Sequence, residues 1–385
     1  MKVIFVTNYY THHQSSLAKY LFENQEVDFV LIETETITEE RVNMGWKLDD
    51  IPSFVINNNE FNSNIHVYEK MILDADIVIF GSVIKKMLRK RLSLKKPTFL
   101  YTERLYKKKV PFYKFPVHFL KFYMKKYMNK NLYALCASAY ASNDFSKTFS
   151  LINRCYKWGY FPPIQKYDNI EKLILNKHKN SIMWCGRFIW WKHPEKVIEI
   201  AKRLKERGVE FTINMIGNGP LEPKISLLIK EFKLEKNVFL LGSMKPEKVR
   251  EYMEKSEMFL CTSDRNEGWG AVLNESMNSA CAVVASHAIG SVPFIIKNGV
   301  NGMIFRDDRI MELYEKIELL LSNKDDRIRI AKNAYQTIIT EWNANIASYR
   351  LLELFKAIIA GNKKPSLYQD GLCSKAEIIK DNWYL

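Results

Sequence analysis

Two cations stand where an anion would be gripped. Arg187 and Lys192 lie in Gly186-Arg187-Phe188-Ile189-Trp190-Trp191-Lys192, directly after the apolar run 181–185. Gly186 lets the backbone turn, and both cations project at the carboxyl end of a predicted strand, where parallel α/β sheets bind ligands. A leaving diphosphate needs positive charge where its own charge grows, and Arg holds it in a forked, bidentate grip. The same spacing also suits a solvated basic pair. A second group follows the run 258–261 and reads Thr262-Ser263-Asp264-Arg265-Asn266-Glu267-Gly268-Trp269-Gly270-Ala271-Val272-Leu273-Asn274-Glu275. Glu267 falls in the loop, and Gly268 and Gly270 permit close backbone approach. A helix is expected from Ala271, with N–H groups and a positive dipole end that suit a pyrophosphate. Glu275 sits about one turn in, where a carboxylate can accept both hydroxyls of a ribose. Taken alone, it is also an ordinary acid of a first helical turn. Gly217-Asn218-Gly219, after the run 211–216, brings backbone N–H groups to a phosphate or simply makes a turn.

These groups need strands to place them. Strand-like runs occur at 2–7, 27–33, 76–80, 97–101 and 133–137, then at 181–185, 211–216, 238–241, 258–261 and 282–286. Helical patterns alternate with them. The clearest opens at His193-Pro194-Glu195, carries Val197, Ile198, Ala201 and Leu204 on one stripe, and closes at Gly208. Such alternation implies parallel sheets with helices on both faces. The run Lys157-Trp158-Gly159-Tyr160-Phe161-Pro162-Pro163 has the punctuation of a boundary. The fold class expected is α/β with two doubly wound Rossmann-like domains facing a cleft. The first spans 1–160 and the second 161–340, followed by a polar tail over 361–385.

The Glu267-x7-Glu275 spacing resembles that of the family 4 retaining glycosyltransferases, which have the GT-B fold. The resemblance covers nearly all of 182–305. It includes Gly186-Arg187, Lys192, Gly217-x-Gly219, the Glu267–Glu275 block, Gly290-Ser291-Val292-Pro293 and Asn298-Gly299-Val300-Asn301-Gly302. It implies that Arg187 and Lys192 hold the diphosphate of a nucleotide-diphosphate-sugar donor. Glu267 would contact the transferred sugar and Glu275 the ribose. Gly217, Gly219, Trp269, Gly270, Ala271 and Asn274 would complete the donor site. The segment from Glu341-Trp342-Asn343 resembles the family's last helix, over 341–360, which crosses back to the first domain. In the first domain, His12 or His13 follows strand one, and the resemblance favours His13 as a hydrogen-bonding partner of donor or acceptor. Ser15 or Ser16 is expected to cap that helix. Ser138-Ala139-Tyr140-Ala141 and Asp144 also resemble the family. No His follows the run 97–101, where many relatives have one; Thr102-Glu103-Arg104 stands there.

The chain has 385 residues, 47% hydrophobic and 26% charged, enough to build two cores. No apolar run is long enough to span a bilayer. The amino-terminal apolar run is too short for a signal peptide, and a cytoplasmic location is expected. The six cysteines show no C-x-x-C spacing and fit reduced core thiols. Asp74-Ala75-Asp76 has the spacing of a metal-binding D-x-D pair, but it precedes a strand rather than following one. It reads as a turn, and neither metal nor cofactor is expected. The net charge is +15, and residues 85–130 hold sixteen Lys/Arg against one acid, Glu103. The rest of the chain is neutral, so the excess points to an anionic partner at one place. Within it, Lys121, Phe122, Lys125 and Lys126 combine basic and aromatic character on one expected helix. That pattern suits docking on an anionic inner membrane face, or a solvated basic face over core aromatics. No nucleic-acid motif accompanies it. A glycan or lipid-linked acceptor follows from that reading. The rival readings are another GT-B activity, such as a nucleotide-sugar epimerase, and a catalytically silent docked scaffold.

Overall fold

The computed structural model describes residues 1–43, 45–48, 50–107, 115–118 and 130–384. It divides into two compact units. One is residues 1–163 with 342–380, and the other is 164–341 with 381–385. Each is built on one parallel sheet.

In the first unit, β1 (Lys2–Thr7), β2 (Asp28–Glu33), β3 (Val55–Ile56), β4 (Ile77–Phe80), β5 (Thr98–Thr102), β6 (Leu132–Cys136) and β7 (Cys155–Lys157) lie in the order β3-β2-β1-β4-β5-β6-β7. The strand order reverses between β1 and β4, the switch point at which such sheets open a crevice. In the second unit, β8 (His178–Cys185), β9 (Thr212–Ile216), β10 (Val238–Leu240), β11 (Ser256–Cys261), β12 (Ala282–Ser286) and β13 (Met303–Phe305) lie in the order β10-β9-β8-β11-β12-β13. Its switch point falls between β8 and β11. The central strands are buried on both faces: Val3, Ile4, Val6, Ile77 and Val78 in one sheet, Ile182, Met183, Met258 and Phe259 in the other, show no exposed surface. They therefore read as near-continuous apolar runs. The ten strands expected from sequence are all present. The three that sequence does not reveal, β3, β7 and β13, are edge strands of two or three residues. A run that short carries no measurable period.

The boundary run is not a bare linker. Lys157 ends β7, and Trp158 and Phe161 are buried in the first unit. Residues 362–380 also fold back there. Lys157 N donates to Ser374 O at 2.9 Å, Cys373 N to Lys157 O at 2.9 Å, and Ala376 N to Cys155 O at 3.0 Å. This tail thus covers the open edge of β7, which would otherwise offer unpaired backbone to a second chain. The helix Ala344–Ile359, capped by the Asn343 side chain on Ile346 N, belongs to the same unit.

The basic stretch also has structural work. Arg91 is fully buried. It donates to the carbonyls of Ile72 (2.8 Å), Ala75 (2.8 Å), Asp76 (2.9 Å) and Pro97 (2.9 Å), and to Thr98 Oγ1 (3.1 Å). Its charge satisfies the carbonyls that end one helix and open β4 and β5. Lys90 and Lys86 pair with Glu69, and Lys96 donates to Asp74 O. Asp74-Ala75-Asp76 sits at the amino end of β4, where Asp76 accepts Lys2 N at 2.8 Å. Part of the excess charge seen in the sequence is therefore internal scaffolding. Lys121, Phe122, Lys125 and Lys126 lie outside the described residues. Arg91→Met leaves several buried carbonyls without donors, each worth on the order of 1–3 kcal/mol. We expect a loss of about 3 kcal/mol or more in urea unfolding, and little recovery in Arg91→Lys, which cannot reach five acceptors.

Candidate active site

The geometry of the second unit starts from its switch point. β8 and β11 run parallel as neighbours, with Ile182 opposite Met258 and Trp184 opposite Leu260. Both carboxyl ends therefore open side by side, and the loops at 186–193 and 262–270 meet there. A short relay ties them: Trp184 Nε1 donates to Thr262 Oγ1 (2.9 Å), which donates to Lys192 O (2.6 Å). Asp264 N donates to Trp191 O at 2.9 Å.

The glycine loop supports the first of these segments from the β9 side. Gly217 has φ 132° and Gly219 φ 149°, conformations that L side chains rarely adopt. A Cβ on Gly217 would strike Gly186 O, and one on Gly219 would come within 2.7 Å of Phe188 O. Phe188 N donates to Asn218 O at 2.7 Å, and Gly217 N to Gly242 O at 2.9 Å. Close backbone packing accounts for both glycines, and the Gly217 N–H already has a protein partner.

His193 locks the two loops together, and the sequence reading did not single it out as a site residue. Its backbone is left-handed at φ 50°, unusual for a residue with a side chain. Its ring lies 3.2 Å from Asp264 Oδ2 through Nε2, and 2.8 Å from Glu195 Oε1 through Nδ1. Asp264 first, and Glu195 second, push its pKa up to about 9. The signal was present as His193-Pro194-Glu195 at a helix start, but only the fold brings Asp264 to it.

On this frame, Lys192 Nζ forms an ion pair with Glu267 Oε2, both side chains being mostly shielded from solvent. Together with Cys185, Thr262, Gly270 and Ile289 they line a shallow pocket. Arg187 is exposed beside it, with its guanidinium carbon 5.7 Å from the Trp191 ring centroid. The loop carrying Glu267 hangs on the next strand's turn. Gly290 N donates to Glu267 O (3.2 Å) and Ser291 N to Trp269 O (3.3 Å). Gly270, at φ 83°, then opens the helix Ala271–Asn278. Trp269 and Asn274 have an inward task. The indole is fully buried and donates to Asn274 Oδ1 at 2.9 Å, and Asn274 is itself buried. Any donor contact from Trp269 is therefore limited to its backbone. Ala271 and Glu275 remain partly open to solvent. Protein nonetheless surrounds the Glu275 carboxyl closely enough that burial pushes its pKa up to about 7, against the pull of Arg250.

In the first unit, His13 lies in the first turn of the helix His12–Phe22. Thr11, not Ser15 or Ser16, caps this helix: its extended backbone places Oγ1 on His13 N, so the helix begins earlier than expected. Ser15 instead donates to His12 O. Burial, then the neighbouring His12 and Arg41, hold His13 well below the usual histidine range, so its ring is neutral near pH 7. Asp144 is fully buried. It accepts Tyr106 N at 3.0 Å and lies 4.0 Å from Arg104 Nε. No group of three or more His, Cys, Asp or Glu among the described residues could hold a metal ion.

Residues 165–337 match the family model described as Glycosyl transferases group 1. This identifies the second unit as a domain of that family. The chain spans about half the length of the curated relatives it matches. It is 28% identical over 177 residues to alpha-D-kanosaminyltransferase of Streptomyces kanamyceticus, covering 46% of this chain and 45% of that protein. It is 27% identical over 191 residues to the N,N'-diacetylbacillosaminyl-diphospho-undecaprenol alpha-1,3-N-acetylgalactosaminyltransferase of Campylobacter jejuni, covering 50% and 46%. Similarity of fold reaches further. The crystal structure of Anabaena Alr3699/HepE in complex with UDP matches with a TM-score of 0.69 over 93% of this chain and 100% of that one, at 15% identity. The architecture is the GT-B fold.

The His193 clamp gives a pH signature. Its folded pKa is raised from 6.5 to about 9, so its contribution is complete below about 6.5 and is lost as pH rises through 9. His193→Gln should destabilise the protein on the order of 1–3 kcal/mol at pH 6, and thermal unfolding of the two proteins should converge by about pH 9.5.

Proposed function

We propose that this chain is a metal-independent, retaining glycosyltransferase. It moves a sugar from a nucleotide-diphosphate-sugar to a glycan or lipid-linked acceptor of cell-surface polysaccharide synthesis. The observation that carries the reading is the pairing of Lys192 with Glu267 at the β8–β11 switch point, with Glu275 recessed in the helix just beyond. A diphosphate arriving there meets Lys192 and Arg187. These neutralise the charge that grows on it as the glycosidic bond breaks, the role a divalent metal plays elsewhere. Glu267, released from Lys192 by the phosphate, is free to accept hydrogen bonds from the sugar. Glu275 accepts the ribose hydroxyls. Neither carboxylate is assigned as a covalent nucleophile. We favour a same-face displacement in which the leaving diphosphate assists deprotonation of the acceptor. The relatives support the acceptor class, since the Campylobacter protein is named for a diphospho-undecaprenol acceptor.

Glu275 carries the sharpest test. Its folded pKa is raised to about 7, so ionising it destabilises the free protein as pH climbs from about 4.5 through 7. Glu275→Gln should raise the melting temperature above pH 7. It should also weaken nucleoside diphosphate binding by about tenfold or more, the worth of hydrogen bonds to a charged group. Wild-type affinity should fall below pH 7 relative to this variant, because binding then requires loss of a proton. Glu267→Ala should leave nucleotide affinity nearly intact and reduce turnover. The transfer assay is run with excess EDTA, and the product's anomeric configuration is read by NMR. Loss of transfer restored by manganese, or an inverted product, would sink the proposal as stated.

A cytoplasmic enzyme acting on a lipid-linked acceptor must meet the inner membrane face, and we assign that contact to the segment holding Lys121, Phe122, Lys125 and Lys126. No described helix is long and apolar enough to cross a membrane. Docking should need anionic lipid and weaken as salt rises, since exposed charges are screened within about 8 Å at physiological ionic strength. Changing the three lysines to Glu should abolish co-sedimentation with anionic liposomes. Equal binding by this variant would rule the segment out.

A further inference from the structure

The first unit holds an arginine seated on two aromatic rings, apart from the candidate donor site of the second unit. Thr34 N donates to Thr7 O (2.9 Å) and Asn8 O (3.1 Å), and Glu35 N to Asn8 O (2.9 Å). These bonds bind the loop after β2 to the loop after β1, at the carboxyl ends of both strands. The first loop presents Tyr9. The second turns through the short helix Glu39–Asn43. Gly45, at φ 74°, then reverses the chain so that Trp46 N donates to Arg41 O at 3.0 Å. Trp46 is thereby folded back onto Arg41.

The result is a guanidinium between two rings. Arg41 Cζ lies 4.6 Å from the Trp46 ring centroid and 5.1 Å from that of Tyr9. Attraction of the cation to the ring faces uses none of its N–H donors. Among the described residues, no hydrogen bond or ion pair reaches those donors. The histidines complete the wall. His12 and His13 stand 5.7 and 4.9 Å from Trp46, ring to ring. Among the described residues no carboxylate forms an ion pair with Arg41. Glu33 accepts Tyr10 N at 2.6 Å, and Glu35 acts on Tyr9. An arginine seated on two aromatic rings, whose guanidinium has no hydrogen-bond or ion-pair partner among the described residues, has the planar fork that binds two oxygens of one phosphate or carboxylate.

We propose that Arg41, held between Tyr9 and Trp46, recognises an oxyanionic group on the acceptor, either the diphosphate of a lipid-linked acceptor or the carboxylate of an acidic sugar. The assignment to the acceptor rests on the transferase reading; the anion site itself does not. The test is an NMR titration of the full chain with ¹⁵N-labelled tryptophan and ¹³C-labelled histidine. The Trp46 and His13 signals are identified by their loss in Trp46→Phe and His13→Gln. Arg187→Ala/Lys192→Ala serves as background, so that the second unit's cations are silent. Pyrophosphate and glucuronate are added separately. The Trp46 indole and His13 ring signals should move with one of them, and the ligand that moves them identifies the group. Arg41→Gln should weaken that response about tenfold or more, and Arg41→Lys should restore only part of it. If neither ligand moves these signals, or if Arg41→Gln responds as the background protein does, the site does not exist. Because no sugar transfer is measured, that outcome stays separate from any failure of the transferase reading.

Discussion

β8 and β11 are neighbours in the second sheet although two strands lie between them in sequence. That reversal of strand order is the constraint on which the candidate site depends. It brings the cations after one strand and the carboxylates after the other to a common edge, and leaves a gap that no crossover helix fills. The carbonyls and N–H groups at that edge would be unsatisfied in an open crevice. They are satisfied by the loops themselves: Thr262 on the Lys192 carbonyl, Asp264 N on Trp191, Gly290 and Ser291 on the carbonyls of Glu267 and Trp269. Each bond that settles a loose backbone group also fixes a candidate site residue.

Rigidity of this kind matters for a reaction whose transition state is stabilised by charge. Preorganised charge is effective only when the protein need not reorganise to present it. The glycine loop, the His193 clamp and the buried Trp269–Asn274 pair all act on the backbone that carries Arg187, Lys192, Glu267 and Glu275. None of these supports needs to touch a ligand. They explain why four charged residues of a candidate site are accompanied by so many small and buried ones.

The first unit shows the same economy of charge in a different form. Arg91 and Arg104 are buried cations, one holding backbone carbonyls and the other beside Asp144 and the Tyr140 ring, and Arg41 lies over the rings of Tyr9 and Trp46. Arginine suits all three places because its charge persists under desolvation and its plane can stack or fork. A count of basic residues along the chain cannot separate these cases. The excess charge of residues 85–130 is thus partly internal, and the stretch is less uniform than its composition suggests.

From sequence alone, the alternation of strands and helices settles the α/β class, and the Glu267-x7-Glu275 spacing beside Gly186-Arg187 and Lys192 carries the family resemblance that implies a chemistry for one edge of the sheet. Both signals are local. A buried parallel strand must be an apolar run, and residues that act at its carboxyl end must follow it within a few positions. What the sequence does not contain is who stands beside whom. The edge strands β3, β7 and β13 are too short to show a period, and their existence depends on a neighbour that supplies half their hydrogen bonds. Asp264 becomes a partner of His193 only because β8 and β11 pair. Burial in the folded unit is what raises Glu275 to about 7 and turns Asn274 away from solvent. Trp46 meets Arg41 through a reversal at Gly45, and Tyr9 joins them through bonds between two loops. Strand order, burial and loop pairing are properties of the packed chain, so these relations are decided only in the tertiary structure.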